Sequence, residues 1–140
     1  MPSYLETHDE LTGLPNRRGI DDLARALALD TKSDLVVVLI ELQSLNQEMR
    51  QTIARRLRAC ARGDDVVASL DDDRFAILLT PRISAEEERK LLARLRTAIG
   101  KDMLDIAAAL GVARCPEDGT QLEQLLTRAS LRLRGEALAH

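Results

Sequence analysis

A nearly unbroken run of apolar, mostly branched residues, from Leu35 to Leu42, constrains the fold more than any other stretch of this chain. A strand with alternating polar and apolar residues is covered on one face only, whereas a continuous apolar run needs structure on both faces. We therefore expect this segment to be the central strand of a sheet. Because aromatic residues make up only 1% of the chain, the surrounding layers must be built from Leu, Ile, Val and Ala side chains.

Helical and strand patterns alternate along the rest of the chain. Four segments carry apolar residues at every third or fourth position, which predicts amphipathic helices. These helices cover residues 18–29, 46–62, 84–99 and a stretch that Thr120 begins as a cap. Ser84, followed by Glu87, has the spacing of a capping box at the third helix. Further strands are predicted at residues 66–70, 75–80 and 106–113, and the order α-β-α-β-β-α-β-α indicates one α+β domain.

Composition excludes several classes of function. The net charge of −3 provides no overall positive field and aromatic stacking platforms are missing, so we expect no nucleic-acid polymer as a partner. Cys60, Cys115 and the two histidines fall into no metal-ligand spacing, so we predict no cofactor. Every apolar run is much shorter than the roughly 20 residues of a membrane span, and the N-terminus lacks a signal-peptide pattern. We expect a soluble, cytoplasmic chain that inserts into no membrane.

Three segments of the chain match the motifs of one protein family. Residues 9–18 read Asp-Glu-Leu-Thr-Gly-Leu-Pro-Asn-Arg-Arg and match an opening signature. Residues 66–68, leading to 75–79, match the two strands of a signature hairpin. Residues 111–113 with 116–119 match a last strand and its turn. Together these segments resemble GGDEF domains, the diguanylate cyclase family.

The resemblance implies a particular fold and setting. The expected fold is α+β and palm-like, of the nucleotide-cyclase type, with a mainly antiparallel central sheet and a ferredoxin-like core flanked by helices. The expected domain covers residues 9–140, and residues 1–8 are the remnant of a linker. The resemblance also implies a bacterial source and a role in signalling by cyclic di-GMP.

The catalytic signature of this family is altered in the chain. Members of the family join two GTP molecules into cyclic di-GMP, using metal-binding carboxylates that activate a ribose hydroxyl and neutralise the triphosphate. The Gly-Gly-Asp-Glu-Phe signature stands here as Asp-Asp-Asp-Arg-Phe at residues 71–75, so Arg74 reverses a charge. Aspartates in place of the two glycines occupy the space of a nucleotide and repel its phosphates.

Other parts of the family's catalytic site are also altered. By resemblance, Glu41 stands for the first metal-binding aspartate, while the neighbouring acidic position is Gln43. The segment that reads guanine in the family is missing after Asn46, and the C-terminal phosphate contacts have no clear equivalent. Glu41 and Asp73 remain as vestigial candidates for one Mg²⁺ ion. We therefore predict a degenerate domain that has no catalytic residues and is not an enzyme.

A second motif of the family, RxxD, is retained at Arg62 and Asp65. Asp65 lies six residues before Asp71, the first signature position, and this is the placement of the family's inhibitory site for cyclic di-GMP. An arginine donates to phosphate or to guanine O6 and N7, and an aspartate accepts from guanine N1 and N2. The family site uses a further arginine from the helix after the hairpin. The candidates for it are Arg94 first, with Arg96 and Arg89 as alternatives.

These residues leave two hypotheses for the function. In the first, the chain is a non-catalytic receptor that binds dimeric cyclic di-GMP through Arg62, Asp65 and Arg94, with a second copy or a partner signalling protein as a further contact. In the second, the chain binds no nucleotide and is a dimerisation or protein-docking module built on a GGDEF scaffold. RxxD arises readily by chance in a chain with 31% charged residues, and an ordinary surface ion pair is worth under about 1 kcal/mol.

Overall fold

The described residues form one antiparallel sheet of five strands. The computed structural model describes residues 4–31, 35–43, 45–80, 83–100 and 107–137. In chain order the strands are β1 (Val36–Leu42), β2 (Val66–Ser69), β3 (Arg74–Leu79), β4 (Ala107–Arg114) and β5 (Arg134–Ala137). Their order across the sheet is β2-β3-β1-β4-β5, so β1 lies in the middle, as its apolar sequence predicts.

The described helices pack around this sheet. They are α1 (Tyr4–Thr7), α2 (Arg17–Thr31), α3 (Gln47–Cys60), α4 (Ala85–Gly100) and α5 (Leu122–Leu131). From α2 to α5, the elements follow the order that the sequence predicts. The last helix begins later than expected because the Gln124 side chain accepts the backbone N–H groups of Thr120 (2.9 Å) and Gln121 (3.2 Å). In the described ranges, no helix combines the length and the apolar character needed to cross a bilayer.

Helices cover both faces of β1. Val36, Val38 and Ile40 belong to a cluster with apolar residues of α3 and α4, whereas Val37 and Leu39 belong to a cluster with α2 and α5. All five side chains are at most 1% exposed. Burying a side chain of this size contributes about 1.5–3 kcal/mol relative to leaving it exposed. The continuous apolar run therefore needs both helical layers.

Two short elements are absent from the sequence-based prediction. β5 pairs with β4 at the edge of the sheet, with Ala107 opposite Ala137. Its sequence, Arg-Gly-Glu-Ala, has no β-branched or aromatic residue, so β5 depends on backbone hydrogen bonds to β4. α1 is a single turn within the expected linker, whose residues 1–3 lie outside the described ranges. It is tied to the domain by a hydrogen bond from the Asn16 N–H to the Thr7 carbonyl (2.9 Å).

The β2–β3 hairpin positions both groups of candidate site residues. Ser69, the last residue of β2, pairs with Phe75, so the altered signature turn lies at this end of the hairpin. Glu41 of β1 lies opposite Arg74, which brings the end of the central strand to the same turn. Asp65 immediately precedes the start of β2. The RxxD motif and the signature turn therefore lie at opposite ends of one short strand.

Candidate functional site

Arg62 and Asp65 form a closed ion pair in the loop between α3 and β2. Asp65 Oδ2 accepts hydrogen bonds from the Arg62 backbone N–H (2.8 Å) and from Nε (3.2 Å), and Oδ1 accepts from Nη2 (3.0 Å). The hydrogen bond to the Asp65 carboxylate raises the pKa of the Arg62 guanidinium above its ordinary value. The two side chains differ in accessibility, since Asp65 is 1% exposed and Arg62 is 45% exposed.

The end of α3 sets the shape of this loop. Ala61 caps the helix by donating its N–H to the carbonyls of Leu57 (3.2 Å) and Arg58 (3.3 Å). The Asp65 N–H then donates to the Arg62 carbonyl (3.1 Å), which closes a turn. Because this turn brings the first and last residues of the motif together, the spacing of RxxD is by itself enough to align the carboxylate with the guanidinium.

A groove between this loop and α4 is lined by Arg62, Asp65 and Arg94 and has a volume of about 260 Å³. We name it the RxxD groove. Arg94 reaches the end of α3, where its Nη2 donates to the Cys60 carbonyl at 3.4 Å. The other two candidates on α4, Arg89 and Arg96, are not among the described residues that line the groove. The structure thus brings together the three residues that the sequence placed in one site.

Two further charged residues line the RxxD groove, Lys90 and Glu87. Neither was predicted as a site residue from the sequence. Lys90 lies four residues before Arg94, which places the two side chains on one face of α4, and this spacing was the available signal. Glu87 also forms the predicted capping box, because its backbone N–H donates to Ser84 Oγ (3.1 Å) and its carboxylate accepts from the Ser84 backbone N–H (3.4 Å). The described lining holds three basic and two acidic side chains, so the groove suits an anionic ligand.

A second groove lies between the end of β1 and the altered signature turn, with a volume of about 560 Å³. We name it the signature groove. The Leu42 N–H donates to the Asp73 carbonyl at 2.8 Å, which holds the turn against the central strand. Arg74 Nε lies 3.3 Å from Asp71 Oδ2. Arg74, which reverses the charge at the fourth signature position, therefore forms an ion pair with Asp71 at the first position.

Glu41 and Asp73 both line the signature groove, but the groove does not fit a magnesium ion. Mg²⁺ is held in proteins by oxygen ligands in near-octahedral geometry. Arg74, opposite Glu41 in the β1–β3 register, places a guanidinium in the same groove. Among the residues that the structure describes, no group of three or more His, Cys, Asp or Glu side chains is arranged to hold a metal. The donor set therefore does not match the metal that the resemblance implies.

Arg50 links the signature turn to the opening motif and was not among the predicted site residues. Its Nη2 lies 3.6 Å from Asp9 Oδ1 and donates to Ser69 Oγ at 3.2 Å, while its Nη1 lies 3.6 Å from Asp72 Oδ1. The Arg50 side chain is only 11% exposed. The sequence contains a signal for this burial, because Arg50 lies three residues before Ile53. This spacing places Arg50 on the side of α3 that faces the core. Asp72 thus faces a cation that belongs to the protein.

Comparison with known proteins identifies long relatives of this chain. The chain is 30% identical to the bifunctional diguanylate cyclase/cyclic di-GMP phosphodiesterase MucR from Pseudomonas aeruginosa, over 89% of the chain and 21% of MucR. It is also 30% identical to the diguanylate cyclase TpbB from the same species, over 89% of the chain and 33% of TpbB. The chain therefore spans only about a fifth to a third of the length of these relatives.

Solved structures and a family model agree on the fold. The GGDEF domain of TpbB from P. aeruginosa matches with a TM-score of 0.74 and 27% identity, over 89% of this chain and 85% of that one. The GGDEF domain of DgcB from Caulobacter crescentus, in complex with cyclic di-GMP, matches with a TM-score of 0.74 and 20% identity, over 94% of this chain and 87% of that one. The model for "Diguanylate cyclase, GGDEF domain" matches residues 6–137. This chain therefore belongs to the GGDEF domain family.

Proposed function

We propose that this chain is a catalytically inactive GGDEF domain that acts as a receptor for cyclic di-GMP, which it binds in the RxxD groove through Arg62, Asp65 and Arg94. The observation that carries the proposal is the meeting of these residues in one groove with an excess of positive charge. Arg62 and Asp65 are neighbours in sequence, but Arg94 comes from another helix. Local spacing alone therefore does not account for the groove.

The ion pair determines the order in which the ligand meets these groups. Asp65 is covered, whereas Arg62 is accessible, so the ligand first contacts Arg62 and Arg94. Each guanidinium presents N–H donors in a fixed fork that matches a phosphate or the O6 and N7 atoms of guanine. Guanine N1–H and N2–H reach Asp65 once the Arg62 side chain turns away from it. Binding thus exchanges the protein donors on Asp65 for donors on the ligand.

The signature groove supports the inactive part of the proposal. A triphosphate placed there would meet the three consecutive aspartates of the turn, and like charges repel strongly at short range. Arg74 is paired with Asp71 and Arg50 lies against Asp72, so both cations near the turn already face protein carboxylates. The described residues of the groove also provide no group of ligands arranged to hold Mg²⁺. These features remove the charge neutralisation on which the family's chemistry depends.

Titration calorimetry with cyclic di-GMP tests the proposal. We expect micromolar or tighter binding by the chain, and a loss of at least about tenfold in affinity for Arg62→Ala, because a charge-assisted hydrogen bond is worth roughly 1.5–3 kcal/mol. Arg55→Ala is the matched control. Arg55 is an exposed arginine of α3, the helix that precedes Arg62, and its Nη2 donates to Thr52 Oγ1 at 3.3 Å. It lines neither groove described above.

The same titration distinguishes the alternatives. If the unaltered chain releases or takes up no heat with cyclic di-GMP, and no binding is seen by a second method, the receptor proposal is wrong and the docking or dimerisation scaffold is favoured. GTP with Mg²⁺ is titrated in parallel. Formation of cyclic di-GMP from that mixture would contradict the proposal that the chain is catalytically inactive. Binding in the RxxD groove would still be tested by the titration with cyclic di-GMP.

A further inference from the structure

A third groove shares two lining residues with the RxxD groove. It lies between the last turn of α3, the start of β2 and the opening motif, and its volume is about 450 Å³. Arg62 and Asp65 line both grooves. We name this third groove the adjoining groove. Because the two grooves meet at the Arg62–Asp65 pair, a ligand that contacts this pair lies beside both.

The RxxD groove is too small to hold the whole of the proposed ligand. Its volume of about 260 Å³ is below the roughly 300–1,000 Å³ of pockets that enclose drug-sized ligands. Cyclic di-GMP carries two guanine bases and two phosphates on a closed ring. Part of the molecule must therefore lie outside the RxxD groove, and the adjoining groove is the neighbouring depression that begins at the same ion pair.

The lining of the adjoining groove combines an exposed positive charge with apolar surface. Arg58 is exposed in the last turn of α3, and in the described lining the only acidic side chain is Asp65, which Arg62 already holds. Leu23 lines the same groove and is 39% exposed, unlike most large apolar residues of the described chain. Pro15 also lines this groove. An apolar surface next to an exposed guanidinium suits a purine face joined to a phosphate.

We propose that the adjoining groove is a second subsite for cyclic di-GMP, in which a guanine base packs on Leu23 and Pro15 and Arg58 donates to a phosphate. This inference rests on the function proposed above, because the ligand reaches the adjoining groove from the Arg62–Asp65 pair. It adds three residues that the RxxD motif does not contain, Leu23, Pro15 and Arg58. It also gives the ligand one contact that depends on charge and one that depends on apolar area.

The test compares matched variants by titration with cyclic di-GMP at two salt concentrations. We expect Arg58→Ala to lower the affinity about tenfold or more and to weaken its dependence on salt, whereas Arg55→Ala leaves both unchanged. Leu23→Ser should lower the affinity several-fold without changing the salt dependence. Its control is Leu131→Ser, since Leu131 is 76% exposed at the end of α5 and lines neither the RxxD groove nor the adjoining groove. All four replaced side chains are exposed, so the variants are expected to fold.

The outcomes separate this inference from the proposed function. If Arg62→Ala loses binding while Arg58→Ala and Leu23→Ser bind like their controls, the receptor proposal stands and the second subsite is wrong. If the unaltered chain does not bind cyclic di-GMP, both are overturned. A loss in Arg58→Ala with normal binding by Leu23→Ser would contradict the base-packing part and keep only the phosphate contact.

Discussion

Arg50 lies where the periodic pattern of α3 places side chains against the core. Its neighbours on that stripe, such as Ile53 and Leu57, are fully buried, yet Arg50 carries a charge into the same environment. A buried charge is tolerated when opposite charges and hydrogen-bond acceptors surround it. Asp9, Asp72 and the Ser69 hydroxyl supply them here. A single residue therefore joins the opening motif, the end of β2 and the signature turn.

Replacing Arg50 with alanine should lower the free energy of unfolding by about 1–3 kcal/mol, because the change leaves the partly buried Asp9 carboxylate without its cation and opens a cavity. Urea denaturation measures this change. The control is Arg25→Ala, which removes an ion pair to Asp21 at 2.9 Å from a side chain that is 75% exposed, and should cost under about 1 kcal/mol. Equal losses in the two variants would contradict the role assigned to Arg50.

At the scale of elements, β4 and α5 approach each other more closely than a side chain permits. A Cβ atom added at Gly111 of β4 would collide with the carbonyl oxygen of Ala129 in α5. The obstacle is backbone, which cannot turn aside as a flexible side chain does. Close packing against α5 therefore explains the glycine in the Gly-Val-Ala segment of β4, a reason that the strand pattern alone does not reveal.

Gly111→Ala should destabilise the fold by roughly 1–3 kcal/mol, because α5 must shift away from the sheet to accept one methyl group. The matched control is Gly63→Ala, since nothing lies within 4 Å of a Cβ atom at Gly63. That change should alter stability by no more than about 0.5 kcal/mol. Thermal unfolding of the two variants beside the unaltered chain measures both effects, and a stable Gly111→Ala would show that the helix moves freely over β4.

At the scale of the whole molecule, one surface ion pair joins the turn after β4 to the end of α5. Asp118 accepts hydrogen bonds from Arg132 Nη1 and Nη2, both at 2.7 Å, and from the Arg114 N–H at 2.8 Å. These bonds, with that of Arg132 the largest cause, lower the pKa of Asp118 from 3.8 to about 2. Because small domains unfold cooperatively, this local preference for the charged carboxylate contributes to the stability of the entire fold.

The contribution of Asp118 should depend on pH in a defined direction. Its pKa is lower in the folded chain, so the stabilisation is fully present above the unfolded value of 3.8 and is lost as the pH falls toward 2. Asp118→Asn lacks this titration. Urea denaturation at pH 5 and at pH 2.5 should therefore show a large stability difference between the two proteins at pH 5 and a smaller one at pH 2.5. A difference that does not change with pH would contradict the assignment.

Local sequence patterns are enough to predict the order of the main helices and strands and the central place of β1, and the RxxD spacing allows the ion pair between Arg62 and Asp65. Each of these follows from local spacing: an apolar period, a continuous apolar run, or a turn that joins residues three positions apart. Tertiary packing, in contrast, sets which α4 arginine lines the RxxD groove with Arg62, that Lys90 lines the same groove, that Arg50 lies against Asp72, and that β5 pairs at the edge of the sheet. Those contacts join residues far apart in the chain, and they depend on how α3, α4 and the sheet pack against one another.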